Sequence, residues 1–506
     1  MLILLSLFHS LIAVVLAIYG ANALFFSLRY GRGRRHRLAA PPAPPVWPHV
    51  TVQAPIFNEI HVVERLMRAL AALDYPHDRL HIQLLDDSTD ETTALAVQEA
   101  ERQRSAGIDV CVLHRSVRGG FKAGALAAAL PQTQGDIIAI FDADFVPHAD
   151  FLRRTVPVLL ADAQAGFVQT RWSHLNAGYS WLTTAQALAL DGHFVVEQSV
   201  RQRSGWFFGF NGTAGLWRRQ CIEAAGGWQS DTLCEDLDLS YRAQLAGWRG
   251  LYLPDVDAPA EIPPQLAAFK RQQARWATGS IQAFRKLAAP VARSRRPLSH
   301  RIEGLIHLGA YFCHPLMLLL LLLTLPLLWF GDTAANPLRW LMAYLSFVSL
   351  GPPLLYTLSQ HELHPPRTAW ARLAALPLLV LLGTGMAVNN SVAVLRGLSN
   401  RSVAFQRTPK FHVEAQHDAW QGKAYALPLN WLVAGESTAL ICALLTVAVA
   451  WQRGQWYALP FLLVQAGGFA AVVMLGVWQG WQRRAPQRRR SAARAAAASL
   501  AMGKKP

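Results

Sequence analysis

The placement of apolar residues constrains this chain more than any other feature. Residues 1–28 are almost wholly apolar, residues 48–303 are mixed and polar, and apolar stretches return between 304 and 481. A run of about 20 apolar residues matches the hydrocarbon thickness of a bilayer. The chain therefore reads as a water-facing domain embedded between transmembrane α-helices. Composition agrees: 52% of residues are hydrophobic and 16% charged, against about 25% charged in an average soluble domain. The first apolar stretch has no basic residue ahead of it; its basic cluster follows, at Arg29, Arg32, Arg34, Arg35 and Arg37. A cleaved signal peptide has the opposite order. Residues 1–28 are expected to be a retained transmembrane helix, with the basic side in the cytoplasm.

Charge is concentrated where the membrane helices end. Formal net charge is +16. The 29–37 cluster supplies five positives and the tail after Trp481 eight, with no acid in either, so together they supply 13 of the 16. The rest is nearly balanced, which fits juxtamembrane charge and a bilayer partner, not a nucleic-acid-binding face. Five scattered cysteines without CxxC spacing leave no disulfide framework and no zinc site to infer. The expected layout is a basic, Pro-rich linker over 29–47, a cytoplasmic domain over 48–303, and a membrane region over 304–481. That region holds spans near 304–330, 337–359, 428–451 and 457–480. A basic cytoplasmic tail follows over 482–506. The segment 373–395 has arginines on both flanks and a polar middle, so it is expected to be an interfacial helix that does not cross. The whole is expected to be a multi-pass protein of the plasma (inner) membrane.

Within 48–303, short apolar runs (51–54, 82–85, 110–113, 137–141, 166–169) alternate with helical periodicity over 61–73, 91–104 and 121–130. Alternation of this kind predicts an α/β domain with a mostly parallel sheet. Such sheets bind ligands beyond the carboxyl ends of their strands. Two predicted strands end in paired carboxylates, Asp86-Asp87 and Asp142-Ala143-Asp144. In an extended chain residues i and i+2 share a side, so Asp142 and Asp144 are expected to converge. Two hard oxygen ligands at a sheet edge suit Mg2+ or Mn2+ held jointly with a diphosphate. Lys122, at a predicted helix start, can reach a phosphate. Glu235 and Asp236 open another helix; one of these carboxylates is a candidate general base, the other reading being helix-dipole complementarity. Gln272, Arg275 and Trp276 share one helix face, an amide, a guanidinium and an indole suited to a sugar ring and a phosphate.

Taken in order, Asp86-Asp87, Asp142-x-Asp144, Glu235-Asp236 and Gln272-x-x-Arg275-Trp276 resemble the D, DxD, TED, QxxRW series of family 2 glycosyltransferases. The series marks their processive membrane branch, which contains cellulose, chitin and hyaluronan synthases. The runs LLDDSTDETT, FKAGALAAAL, FNGTAG and EDLDLSYRAQLAGW most resemble cellulose-synthase-like proteins related to plant mannan synthases. The basic run Phe405–Lys410 resembles their gating-loop region, placing a gating-like loop over about 396–427. The resemblance implies a GT-A fold, Rossmann-like, and an inverting hexosyl transfer. The donor would be a nucleotide sugar, GDP-mannose or UDP-glucose, and the acceptor a glycan; a lipid acceptor is the alternative. It further implies a β-linked (β-1,4) polymer passed across the membrane, with a secretion partner. By the same resemblance Asp86 or Asp87 contacts the nucleoside, and Asp142 and Asp144 hold diphosphate and metal. Lys122 and Arg275 neutralise the leaving nucleotide, Asp236 is the base, and Trp276 stacks on the acceptor. Cys234 stands where the family has threonine, a weaker hydrogen-bond donor.

Three other features carry less. His361 to His364 has the wrong spacing for a metal motif and a Pro365-Pro366 flank, so a loop is expected there. Asn211-Gly212-Thr213 is a sequon on the cytoplasmic side. Glu436 inside a span is costly in lipid and is expected to face a polar interior such as a sugar path.

Overall fold

The computed structural model describes residues 1–33, 41–331, 347–399 and 405–502, with side chains to Arg483. Parts of the 29–47 linker, the 337–359 span, the 396–427 loop and the tail lie outside the described residues. At the centre is a seven-stranded sheet: β1 (Val50–Ile56), β2 (Leu80–Asp86), β3 (Val110–His114), β4 (Ile137–Ile140), β5 (Ala165–His174), β6 (Gly215–Arg218) and β7 (Arg249–Ala260). The order is β3-β2-β1-β4-β6-β5-β7. Only β6 runs against the others, pairing antiparallel with β4 and β5. The sheet is buried on both faces. In β4, Ile137 and Ala139 join one core with the helices Val63–Ala71 and Phe151–Ala161, while Ile138 and Ile140 join the other with Phe121–Ala129. Continuous apolar strands are what double-sided burial requires. The five strands expected from sequence are present. The short β6 and the proline-bearing β7 were not anticipated.

The helix Leu2–Gly33 runs past the expected end at 28. It docks on the domain through Phe25 and Phe26 against Trp206. The expected span 304–330 is broken: Leu298–Leu308 ends at Gly309, and the apolar helix capable of crossing starts at Ala310. Of the 337–359 segment, the described part is a short turn and the helix Gly351–Leu363. That helix contains His361, so the loop expected at His361–His364 is helical up to Leu363. The 373–395 segment is not one helix but two, Leu376–Gly385 and Ala387–Leu398, broken at Met386. Leu432–Gln452 and Leu459–Met502 complete the chain. Among the described residues, five helical stretches are long and apolar enough to cross a membrane: Leu2–Gly33, Ala310–Phe330, Pro366–Gly385, Leu432–Gln452 and Leu459–Arg483.

Candidate active site

β1, β2 and β4 end at one edge of the sheet, and the acidic motifs begin just beyond. Residues Asp142–Phe145 form a tight turn in which the Phe145 N–H donates to the Asp142 carbonyl (3.0 Å). The expected extended geometry of Asp142 and Asp144 is therefore absent, and cations meet the two carboxylates from different elements. Lys122 Nζ donates to Asp142 Oδ1 (2.6 Å) and to the Gly212 carbonyl (2.9 Å), and lies 3.7 Å from Glu235 Oε1. Lys410 Nζ lies 2.8 Å from Asp144 Oδ1 and 3.8 Å from Glu59 Oε1; Arg407 closes on Glu59 at 3.0 Å. Burial works to raise the Asp142 carboxyl, but Lys122, Lys410 and Arg275 overrule it and hold it below its ordinary range. Burial dominates at Glu59, whose carboxyl is pushed up to about 7 against Lys410 and Arg407. The donor set suits a hard divalent cation: Asp142 and Asp144 supply carboxylate oxygens, and each already draws an ammonium group.

Asp236 sits in the first turn of the helix Glu235–Leu245, beside the same lysine. Its carboxyl is pushed up to about 7 by burial and by the charge of Glu235, against Lys122, the Leu237 N–H and Arg275. Gly212 (φ +82°) lies so close that a Cβ there would fall 2.8 Å from Asp236 Oδ2. Asp238 is fully buried and bound by Arg242 (2.8 Å) and Lys286 (2.9 Å), which removes it as a rival base. Cys234 makes no cap. Its Sγ reaches the Trp276 carbonyl (3.9 Å) and packs into the space left by Gly279.

Asp86 and Asp87 are both buried and fully engaged. Asp86 accepts from the Ser88 N–H (2.9 Å) and Thr93 Oγ1 (2.6 Å) and meets His114 Nδ1 (2.9 Å). Asp87 takes Arg115 in a two-pronged contact (2.7 and 2.6 Å). Next to them Arg118 lies over Phe57 (3.5 Å) and Phe121, and Phe405 stacks on Phe121 (5.7 Å). Arg275 also lies over Phe405 (5.2 Å), and its Nε is buried without a hydrogen-bond partner. Gln272, Arg275 and Trp276 are half-buried in the helix Leu266–Arg293.

The structure thus draws Lys122, Asp142, Asp144, Glu235, Asp236 and Arg275 into one cluster, with Asp86 and Asp87 at the end of the neighbouring strand β2. Sequence reasoning missed Glu59, Arg115, Arg118 and the Gly212–Thr213 backbone. Glu59 follows directly on β1 and could have been suspected from that position; the others have no local signal.

Residues 48–279 match the family described as "Glycosyltransferase like family 2". Glucomannan 4-beta-mannosyltransferase 2 of Arabidopsis thaliana is 44% identical over 254 residues, covering 49% of this chain and 48% of the relative. Glucomannan 4-beta-mannosyltransferase 1 of Oryza sativa subsp. japonica is 42% identical over 254 residues, 49% of each. The chain spans about half the length of the curated relatives it matches. Among solved structures, the mannosyltransferase PcManGT of Pyrobaculum calidifontis, in complex with GDP-Man and Mn2+, aligns over 77% of this chain and 100% of its own. The TM-score is 0.51 at 23% identity, a likeness of fold.

Proposed function

Because residues 48–279 belong to the family 2 glycosyltransferases, we propose that this membrane protein is an inverting hexosyltransferase that elongates a β-1,4-linked mannan or glucomannan from GDP-mannose. The observation that carries the reading is the reach of one side chain: Lys122 touches Asp142 and stands beside Glu235 and Asp236. Donor end and base end therefore lie within one side chain of each other. Asp142 and Asp144 would hold Mg2+ or Mn2+ together with the diphosphate, and a divalent ion there supplies charge stabilisation to the departing nucleotide. Lys122 and Arg275 add fixed positive charge on the same side. Asp86 and Asp87 shape the nucleoside end through His114 and Arg115. Asp236 takes the proton of the attacking acceptor hydroxyl, for which a carboxyl near neutrality is well matched. Trp276 offers a stacking face to the acceptor sugar, and Gln272 a hydrogen bond. The Phe405–Lys410 run lies against the donor site, with Lys410 on Asp144 and Phe405 stacked on Phe121.

Passage of the product across the membrane draws on two polar groups buried in the membrane region, Ser391 and Gln465, since Asn389, Asn390 and Glu436 there are bonded to Lys270 and His314. Ser391 Oγ and Gln465 Oε1 are buried without hydrogen-bond partners. Unmet polar atoms cost about 1–3 kcal/mol each, and a hydroxyl-rich chain would satisfy them.

The test supplies purified protein with radiolabelled GDP-mannose or UDP-glucose, with Mn2+, Mg2+ or EDTA, and sizes the product. A long, mannanase-sensitive polymer from GDP-mannose that EDTA abolishes is expected. A solvent-extractable glycolipid as sole product would replace the polymer reading with transfer to a lipid.

A further inference from the structure

The helix that begins at Trp181 changes pitch in its middle. Gly192–Gln198 is a π-helix, a wide and uncommon turn that recurs at functional sites. Its first residue must be small, because a Cβ on Gly192 would fall 2.6 Å from Leu355 and from Tyr356. The wide turn brings His193 and Gln198 against the loop Gly209–Ala214. That loop lies between the two halves of the active site: the Gly212 carbonyl accepts from Lys122 (2.9 Å), Thr213 Oγ1 accepts from the Asp142 N–H (2.9 Å), and Gly212 abuts Asp236. It is also strained. Ala214, a non-glycine residue, sits at φ +54°, a conformation that persists only where surrounding contacts enforce it.

The hydrogen bonds that hold this loop have a single direction, set by a backbone carbonyl. The Gly209 carbonyl can only accept, so the group of Gln198 facing it (2.9 Å) is the amide NH2. The same NH2 donates to Asn211 Oδ1 (2.7 Å). Asn211 Nδ2 is therefore the group that meets His193 Nε2 (3.2 Å), and that nitrogen must be an unprotonated acceptor. His193 Nδ1 then carries the hydrogen and donates to Glu197 (2.9 Å). On the other side of the loop, Gln169 accepts from the Asn211 N–H (2.7 Å) and donates to the Thr213 carbonyl (3.1 Å).

Resting on the transferase reading above, we infer that His193 is a positioning residue which, as the neutral Nδ1–H tautomer, holds the Gly209–Ala214 loop through Asn211, and that protonating His193 releases the loop. A proton on Nε2 would set N–H against NH2, and no rotation of Asn211 repairs this without breaking its bond to Gln198. The groups that bear on this turn come from several elements. Glu197 on the same turn faces the ring at 2.9 Å, His307 on the helix Leu298–Leu308 lies within its electrostatic reach, and Arg201 one turn on acts on both Glu197 and His307. Glu303 and Tyr356 bear on Glu197 from outside the turn.

The test reads backbone exchange, not catalysis. Full-length protein in detergent is compared as wild type, His193→Gln and His193→Phe by amide hydrogen exchange over 209–214, at about pH 7.5 and about pH 5.5, corrected for intrinsic rates. The glutamine oxygen can still accept from Asn211 and does not titrate. Wild type is expected to exchange roughly 5-fold faster at the lower pH, as befits one lost buried hydrogen bond. His193→Gln should stay protected at both pH values and His193→Phe at neither. Wild-type protection in His193→Phe, or an acid loss in His193→Gln equal to that of wild type, would overturn the proposal. In the transfer assay His193→Phe should lower kcat and leave the donor KM within about twofold, while His193→Gln restores kcat. Absence of transfer by the wild type would remove the transferase reading and leave the exchange result standing.

Discussion

Asp236 is where a single side chain decides most. Its carboxyl is held near 7 in the folded chain against 3.8 as the ordinary value, so the fold binds this proton more tightly than the unfolded chain does. Stability is then fully present below about pH 4 and lost as pH rises through the folded value near 7. Asp236→Asn removes that loss. It should lower kcat by roughly 10²–10⁴-fold and yet add on the order of 2–4 kcal/mol to the unfolding free energy at about pH 8, seen as a higher melting temperature, a gain that vanishes toward about pH 4. In the wild type, kcat/KM should fall about tenfold per pH unit below about pH 7. A wild-type kcat in Asp236→Asn, or a wild-type rate that does not fall below about pH 7, would assign the base elsewhere, Glu235 first. Lys410 is the second decisive residue. It joins Asp144 to Glu59, and its removal leaves two carboxylates facing each other. Lys410→Met should cost about 3–5 kcal/mol of stability in thermal unfolding, since it strands buried carboxylates without their cation; an unchanged melting temperature would show that Arg407 alone holds this corner.

The helix Leu266–Arg293 works as a frame at the scale of elements. Gln282 on this helix accepts from the Leu233 N–H (2.8 Å), and Lys286 binds Asp231 and Asp238 (2.9 Å each). Cys234 sits in the notch at Gly279. The turn leading into Asp236 is thus seated on the helix that carries Arg275 and Trp276. Gly279→Ala would push a methyl into Cys234, whose backbone N lies 2.7 Å from that Cβ position. It should lower kcat by displacing Asp236, with a stability loss of about 1–3 kcal/mol; a kcat unchanged from wild type would show that the turn yields freely. The opposite side of this helix is tied to the helix Leu432–Gln452 by Lys270 and Glu436, 8% and 1% exposed. Lys270→Met alone should cost about 3–5 kcal/mol by stranding Glu436, whereas Lys270→Met with Glu436→Met should recover most of it. Thermal unfolding in detergent measures both.

For the molecule as a whole, the stretch 366–398 decides the membrane topology. Arg372 near its start binds Asp191 of the domain (3.1 Å), and near its end the Gly397 carbonyl accepts from Arg285 (3.2 Å). The segment after it packs on the domain through Tyr179–Asp418 and Glu261–Phe411. Both ends thus contact elements of the sheet domain, which supports a re-entrant stretch, although Pro366–Gly385 is long and apolar enough to cross. Single cysteines at Arg367 and Gln416 should be labelled only from the cytoplasmic side. Labelling at Arg367 from outside would turn the stretch into a true span.

Sequence alone determined the parts whose cause is local. The membrane helices follow from apolar length. β1–β5 follow from continuous apolar runs, which only double-sided burial explains. Asp142, Asp144, Asp236 and the Gln272–Trp276 face were singled out by residue type and spacing, and the resemblance to a family supplied the roles proposed for them. β7 was not legible: Pro254 and Pro259 argue against a strand, and they are tolerated because β7 is the sheet edge, where no outer partner needs their missing N–H. Tertiary structure alone decided which charges meet. Lys410 reaches Glu59 and Asp144, Lys122 reaches Gly212, and His193 reaches Asn211 across long sequence separations. No local pattern encodes such contacts, and the proton affinity of Asp236 is their sum of burial and neighbouring charge.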